Sequence, residues 1–231
     1  MTLTDALIAT WPRDPETGLI CAGTELATFA PKDDATLAVL EQQMRDHGQA
    51  PRFLIGPEDA QLDQRLAAAG YLSADPATLF AAPANAIATE RPPAISAFDV
   101  WAPLRIIDEL WADEGLDPRQ RAGMDHLPAP KTAVLGRVND RVAGAAFAII
   151  HGNTAIIQAF GVVPSQRRQR TAINMMRHAA FWALDHGADT VAALVPAHTP
   201  EAQSLCASLG MRDVGHYHYR ICMPNEAQAV D

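Results

Sequence analysis

Basic charge is scarce in this chain. It carries 18 Lys and Arg against 27 Asp and Glu, for a formal net charge of -9 and a pI of about 5.3. A general nucleic-acid binder needs clustered cations for its phosphate contacts, so no nucleic-acid partner is expected. Cysteine is scarce too. Cys21, Cys206 and Cys222 are odd in number and share no metal-type spacing. That argues against a disulfide framework or a metal site and fits a reducing compartment. No apolar run is long enough to cross a bilayer, and the start, Met1 to Asp5, lacks the basic and apolar stretches of a signal peptide. The expected location is cytoplasmic, with no membrane partner. What is present is ordinary globular composition: 48% hydrophobic and 19% charged over 231 residues. That is enough for one large domain or two small ones.

Periodicity divides the chain into three zones. In the first, Leu37, Leu40 and Met44 predict a helix over Asp33–His47 with Gly48 as its stop. The apolar run Arg52–Ile55 follows, and a second helix is predicted over Pro57–Ala69, closed by Gly70. The second zone, Ala84–Pro103, contains Arg91-Pro92-Pro93 and reads as a linker, because paired prolines block both helix and ladder. Helices are expected at Pro103–Ala112 and after Asp117-Pro118, a helix cap followed by proline at the first helical position.

The third zone begins as an antiparallel meander. Strands are expected at Thr132–Val138, Val142–Ile150 and Thr154–Val163, with turns at Asn139-Asp140 and His151-Gly152-Asn153. A long helix over Arg168–His186 then leads through Gly187 to a buried strand at Asp189–Val195. A shorter helix, Pro200–Leu209, ends at Gly210, and Tyr217–Cys222 forms a last strand. The strand–helix–strand unit over 154–195 implies a parallel pair joined by a crossover. The segment Leu62–Tyr71 also resembles Ala202–Met211: in each, a short helix ends on glycine plus a large apolar residue. This is either a common helix–glycine–strand corner or the trace of a duplicated fold.

The junction Val162-Val163-Pro164-Ser165-Gln166-Arg167-Arg168-Gln169-Arg170-Thr171-Ala172 carries the chemistry. A strand ends, a polar loop turns, and a helix begins. Free N–H groups and the positive end of the dipole at a helix start attract phosphate. Arg167, Arg168 and Arg170 add forked donors at the same place. Taken alone, the segment reads sooner as a solvated basic turn in front of an amphipathic helix.

In its context the junction resembles the GNAT acyltransferase superfamily, whose motif Val-x-Pro-x-x-Arg-x-x-Gly-x-Gly/Ala joins a strand to a long helix. Val162, Pro164, Arg167 and Ala172 match, and Arg170 stands where the first glycine is usual. The segment Thr199–Met211 resembles the family's second signature, Asn-x-x-Ala-x-x-Leu-Tyr-x-x-x-Gly-Phe. There Ala202, Leu205 and Gly210 match, while Thr199, Cys206 and Met211 replace Asn, Tyr and Phe. The likeness covers about residues 131–222, and Tyr217-His218-Tyr219-Arg220 is similar to the ending of some members.

The resemblance implies an α/β (α+β) fold with a mixed, mostly antiparallel sheet flanked by helices. It divides the chain into a degenerate GNAT-like half at residues 1–92 and an acyltransferase domain at 93–231. The implied activity is transfer of an acetyl group from acetyl-CoA, as co-substrate, to the amine of an unspecified acceptor by direct attack. The alternative is an acyl-CoA-binding regulatory or scaffold protein weakened in catalysis. The resemblance assigns the pantetheine arm to the backbone near Phe160 and Val162. It gives the pyrophosphate to Arg167, Arg168, Gln169, Arg170, Thr171 and Ala172, and further cofactor contacts to Thr199, Ala202 and Leu205.

Cys206 takes the place of the usual proton-donating tyrosine and reads either as an acid or as a small buried hydrophobe. Gln158 stands where many members carry Glu and cannot titrate. Glu201 is a candidate base or a helix-start acid. His216 and His218 alternate with Tyr217 and Tyr219, so one pair faces inward. The two histidines lack a third ligand, and no metal is expected. Trp101 and Trp111 read as core anchors in a region that, by resemblance, shapes the acceptor pocket. A homo-oligomer is compatible with all of this.

Overall fold

A computed structural model describes residues 2–31, 33–128 and 130–223. The first helix, α1 (Leu3–Thr10), starts at a capping box in which the Thr2 hydroxyl accepts from the Asp5 N–H and the Asp5 carboxylate accepts from the Thr2 N–H. Its face of Ala6, Leu7 and Thr10 is buried. A tight hairpin of β1 (Ile20–Ala22) and β2 (Glu25–Phe29) follows, and α2 (Asp34–Asp46) starts where Asp33 accepts from the Thr36 N–H. After β3 (Arg52–Ile55), α3 (Ala60–Ala68) buries Leu62 and Leu66, and the chain turns at Gly70 into β4 (Leu72–Pro83) and the short α4 (Ala84–Ile87).

The segment expected to be a linker is shorter than its composition suggests. Besides α4 it holds β5 (Ala97–Val100), which pairs antiparallel with the next strand from Ala97↔Gly136 to Val100↔Ala133. The stretch around Arg91-Pro92-Pro93 is irregular, as paired prolines require, and so is the short stretch 101–103. Two helices follow, α5 (Arg105–Asp113) and α6 (Pro118–His126), the second capped by Asp117 with proline at its first position.

The meander is as expected: β6 (Lys131–Val138), β7 (Arg141–His151) and β8 (Thr154–Val162). Asn139 and Asp140 both take positive φ, 51° and 56°, as a two-residue hairpin turn demands. A 3-10 turn at Pro164–Gln166 leads to α7 (Thr171–Asp185), followed by β9 (Thr190–Pro196), α8 (Pro200–Ser208) and β10 (Arg212–Ile221). Helix α7 starts three residues later than periodicity places it. Arg168 and Arg170 sit at φ 63° and 64°, left-handed and outside the helical region.

The strands form one sheet in the order β1-β2-β3-β10-β4-β9-β8-β7-β6-β5. It is mostly antiparallel, with parallel pairs at β2–β3 and β8–β9. The two halves of the chain interlock in its centre. Strand β10 lies between β3 and β4, and β4 pairs with β9 from Ala77↔Pro196 to Pro83↔Thr190. The strands that follow the similar corners α3–Gly70 and α8–Gly210 thus pair antiparallel as the β4–β10 ladder, with the corners at its opposite ends and both glycines left-handed.

Each sheet face is covered. Helices α4, α7 and α8 bury one cluster that includes Val134, Ile157, Met175, Trp182 and Cys206. Helices α1, α5 and α6 bury the other, around Leu7, Ile107, Trp111, Met124 and Phe147. A third cluster, under α2 and α3, holds Met44, Phe53, Leu62 and Leu66. Burying a side chain the size of Phe147 contributes roughly 1.5–3 kcal/mol.

Candidate functional site

The sheet divides at its parallel pair. Strands β8 and β9 are paired only from Thr154↔Thr190 to Ile157↔Ala193. Beyond that, β9 stays with β4 as far as Pro196, whereas β8 stays with β7. A bulge causes the parting. Phe147 faces Gln158 but Ala145 faces Gly161, so Ala159 and Phe160 together oppose Ala146. Ala159 takes φ 46°, and its carbonyl accepts a 2.9 Å hydrogen bond from Trp111 Nε1, which pins the bulge from the α5 side. Past it, the Val163 N–H donates to Ala143 O at 2.9 Å. Alternation along the strand therefore aims the Val162 N–H the other way, into the gap that β9 has left.

The floor of that gap is apolar. Phe160, Val162, Ala202 and Leu205 are partly buried against the cluster beneath α7 and α8. Four of the residues assigned from sequence thus share one surface. Thr199 is at the start of α8, where its hydroxyl donates to Pro196 O at 2.7 Å instead of capping the helix.

The other end of the gap is the start of α7. Arg167, Arg168, Gln169 and Arg170 are exposed there, and no side chain caps the helix. Among the described residues no carboxylate pairs with Arg167, Arg168 or Arg170. Arg167 Nε folds back onto Val162 O at 3.0 Å, tying the loop to the end of β8. Gln169 is held by Gln166 at 3.1 Å and by Asn139 at 2.9 Å. Arg170 provides the left-handed residue just before the helix, a conformation that normally calls for glycine because of the clash a Cβ makes there. The loop thus reproduces the glycine's backbone with a larger side chain. Thr171 is buried, and the small Ala172 keeps the helix start accessible.

Beside this helix start a cavity of about 480 Å³ opens between α7, the β6–β7 turn and the stretch before β5. Arg91, Arg137, Arg170 and Arg177 line it, with Arg177 held by Glu90 at 2.7 Å. A smaller cavity of about 220 Å³ lies at the bulge, between β8 and the loop after α5.

The residues weighed for proton transfer are dispersed. Cys206 is 3% exposed within the α7–α8 cluster, and burial pushes its thiol up to about 11. Those are the surroundings of a packing residue. Gln158 Nε2 donates to Thr10 O at 3.0 Å and so fastens α1 to β8. Tyr217 and Tyr219 are the inward pair on β10, and the Tyr217 hydroxyl meets Thr4 Oγ1 at 3.0 Å. Of the outward pair, His216 is exposed and His218 reaches Asp63 at 2.8 Å. Glu201 is exposed in the first turn of α8. Trp101 packs on Phe147 in the core, while Trp111 is both core and cavity wall. Periodicity gave no sign of the bulge, nor of Glu114, whose side chain lies over Gly161. The only local signal is that Glu114 ends an amphipathic helix ahead of Gly115.

Comparison with known proteins places this geometry. The family model "Acetyltransferase (GNAT) family" matches residues 98–211. A search of curated proteins finds no match. Among solved structures, a GCN5-related N-acetyltransferase from Kribbella flavida has a TM-score of 0.63 at 16% identity, covering 84% of this chain and 76% of that one. A functionally unknown conserved protein from Staphylococcus epidermidis gives 0.62 at 15% identity, covering 96% and 97%. A tandem GNAT protein from the clavulanic acid biosynthesis pathway gives 0.60 at 13% identity, covering 83% and 70%. At such identities the likeness is one of fold, and in the tandem protein it extends into the N-terminal half. The family match and the parted β8–β9 pair with its helix-start loop agree: residues 98–211 form an acetyltransferase domain of the GNAT family.

Proposed function

We propose that the chain transfers an acetyl group from acetyl-CoA to an amine by direct attack. The observation that carries this reading is the gap between β8 and β9, which ends on an uncapped helix start flanked by exposed arginines. In this reading the pyrophosphate lies against the N–H groups at the start of α7, with Arg168 and Arg170 as charged donors. The pantetheine arm runs along Phe160–Val162 over the apolar floor. The Val162 N–H polarises the thioester carbonyl as negative charge develops on its oxygen. The amine nitrogen attacks the carbonyl carbon, a C–N bond forms, the C–S bond breaks, the thiolate leaves, and the nitrogen gives up a proton to solvent or to that thiolate. A thiolate is a weak enough base to leave without a dedicated acid. Cys206 is accordingly given a packing role.

The cavity that adjoins the same loop is lined by Arg91, Arg137, Arg170 and Arg177 against Glu90 and Asp140, and this excess of cations suits the anionic nucleotide end of the donor. Titration calorimetry with acetyl-CoA tests the reading: saturable binding is expected, weakened about tenfold by Arg168→Ala, the scale of one charged hydrogen bond. Absence of binding by the unaltered protein would sink it.

A further inference from the structure

We infer that Glu114 is the acceptor-side carboxylate of this site, holding a primary ammonium and taking the proton that the attacking nitrogen releases. The inference rests on the acyltransferase reading above and names its substrate class. Glu114 follows the last residue of α5, which packs against β7 and β8. Its Cγ lies 3.1 Å, and a carboxylate oxygen 3.5 Å, from the point where a Cβ on Gly161 would stand. Gly161 is the first residue beyond the bulge and immediately precedes Val162, whose N–H faces the gap. The carboxylate is therefore beside the strand segment where the thioester is expected to lie.

The walls around it are otherwise uncharged. The cavity of about 220 Å³ is lined by Trp111, Leu116, Gln120, Phe160 and Gly161 together with Glu114. A narrow continuation on the other side of Glu114 is lined by Leu110, Gly144, Ala145 and Val163. From each packed element, α5, α6, β7 and β8, the groups facing Glu114 in these two cavities are apolar or neutral. It is the single titratable side chain lining either of them, and among the described residues no Lys or Arg pairs with it. Glu114 is an exposed carboxylate at the mouth of a neutral-walled cavity, complementary to a small primary ammonium. The cavity size suits a small amine or a single side chain rather than a folded surface. It does not suit an acidic acceptor.

The proton path follows. The ammonium loses one proton to the Glu114 carboxylate, which passes it to solvent; the neutral amine then attacks the carbonyl carbon, the C–S bond breaks, and the second nitrogen proton leaves through Glu114 to the departing thiolate or to solvent.

The test is coenzyme A release from acetyl-CoA with benzylamine, phenethylamine, tryptamine and 1,4-diaminobutane, set against benzyl alcohol and glutamate. Turnover is expected with at least one of the four amines and with neither comparison compound. Glu114→Gln is expected to lower kcat/KM at least tenfold, with KM for the amine raised and the rising limb of the pH–rate profile displaced, while Glu114→Asp recovers part of the loss. Calorimetry with acetyl-CoA checks that the donor side is intact in both variants. If acetyl-CoA binds but none of the amines reacts, or if Glu114→Gln keeps the unaltered pH profile and KM, the inference fails alone. If acetyl-CoA does not bind the unaltered protein, the acyltransferase reading fails with it.

Discussion

Arg170 bears two opposed demands. Its backbone must be left-handed to end the loop and begin α7, and a Cβ makes that conformation costly by about 1 kcal/mol. Its guanidinium, in exchange, hangs beside the helix start where phosphate is expected. Arg170→Gly separates the two. The variant is expected to unfold at a higher temperature, with a gain of roughly 0.5–1 kcal/mol, and to bind acetyl-CoA less tightly in calorimetry. Tighter binding would mean that the side chain obstructs the phosphate. Cys206→Ala is expected to leave turnover unchanged within about twofold while costing roughly 1 kcal/mol in denaturant unfolding, because a buried sulfur is removed from the α7–α8 cluster. At this scale the sequence was informative about charge, as at Arg170, but periodicity carried the helix back to Arg168 and missed the left-handed backbone of both arginines. It was silent on Glu114, because only the packing of α5 on β8 brings that side chain to Gly161.

Between elements, the joint of α3 with β10 is polar and sensitive to acid. Asp63 accepts from Arg220 at 2.7 and 3.1 Å and meets His218 at 2.8 Å. The Arg220 hydrogen bonds, opposed by partial burial and aided by His218, hold its carboxyl below the usual carboxylate range. A folded-state value lower than the unfolded one, about 3.9, gives stability that is present above that pH and lost as the pH falls through the folded value. Asp63→Asn is therefore expected to destabilise the protein by about 1 kcal/mol near neutral pH, discounted for a joint one quarter exposed. The difference from the unaltered protein should shrink in denaturant titrations below about pH 4.

Elements differed in how legible they were. The meander and α7 stand out because their periodicity is clean and their turns carry Asn-Asp and glycine. Strand β4 hides behind Asp75-Pro76, which looks like a break. In the sheet those residues form a bulge opposite His218, with Asp75 at φ 49°, and a bulge is where a strand tolerates proline. Strand β5 is hidden by its brevity and by the prolines before it.

For the molecule as a whole, sequence suggests a boundary near residue 92, and we propose that the two sides are duplicated halves. The topology makes each side depend on the other. A piece spanning residues 93–231 would lack β4, leaving the long edges of β9 and β10 unpaired. Expressed alone, it is expected to be aggregated or to dimerise through those edges, and to recover a monomeric, sharply unfolding form when residues 1–92 are supplied in trans. Light scattering and calorimetric unfolding would read both outcomes; a stable monomer from 93–231 alone would show that the strand exchange is dispensable. The similarity of the two helix–glycine–strand corners was visible. That the corners trade strands was not visible, because pairing partners far apart in sequence leave no mark on local pattern.

The position of β10 also bears on how the protein is made. Synthesis runs from the N-terminus, so β3 and β4 leave the ribosome early, whereas the strand that belongs between them is made after every other strand of the sheet. Until it arrives, the nascent chain carries an open slot flanked by two unpaired edges, the kind of surface that chaperones shield. Completion of the sheet therefore waits until residues 212–221 have been made. Slow translation between β9 and β10 should prolong the vulnerable stage, and a ribosome stalled before Arg212 should hold a chain that proteases cut readily at β3 and β4.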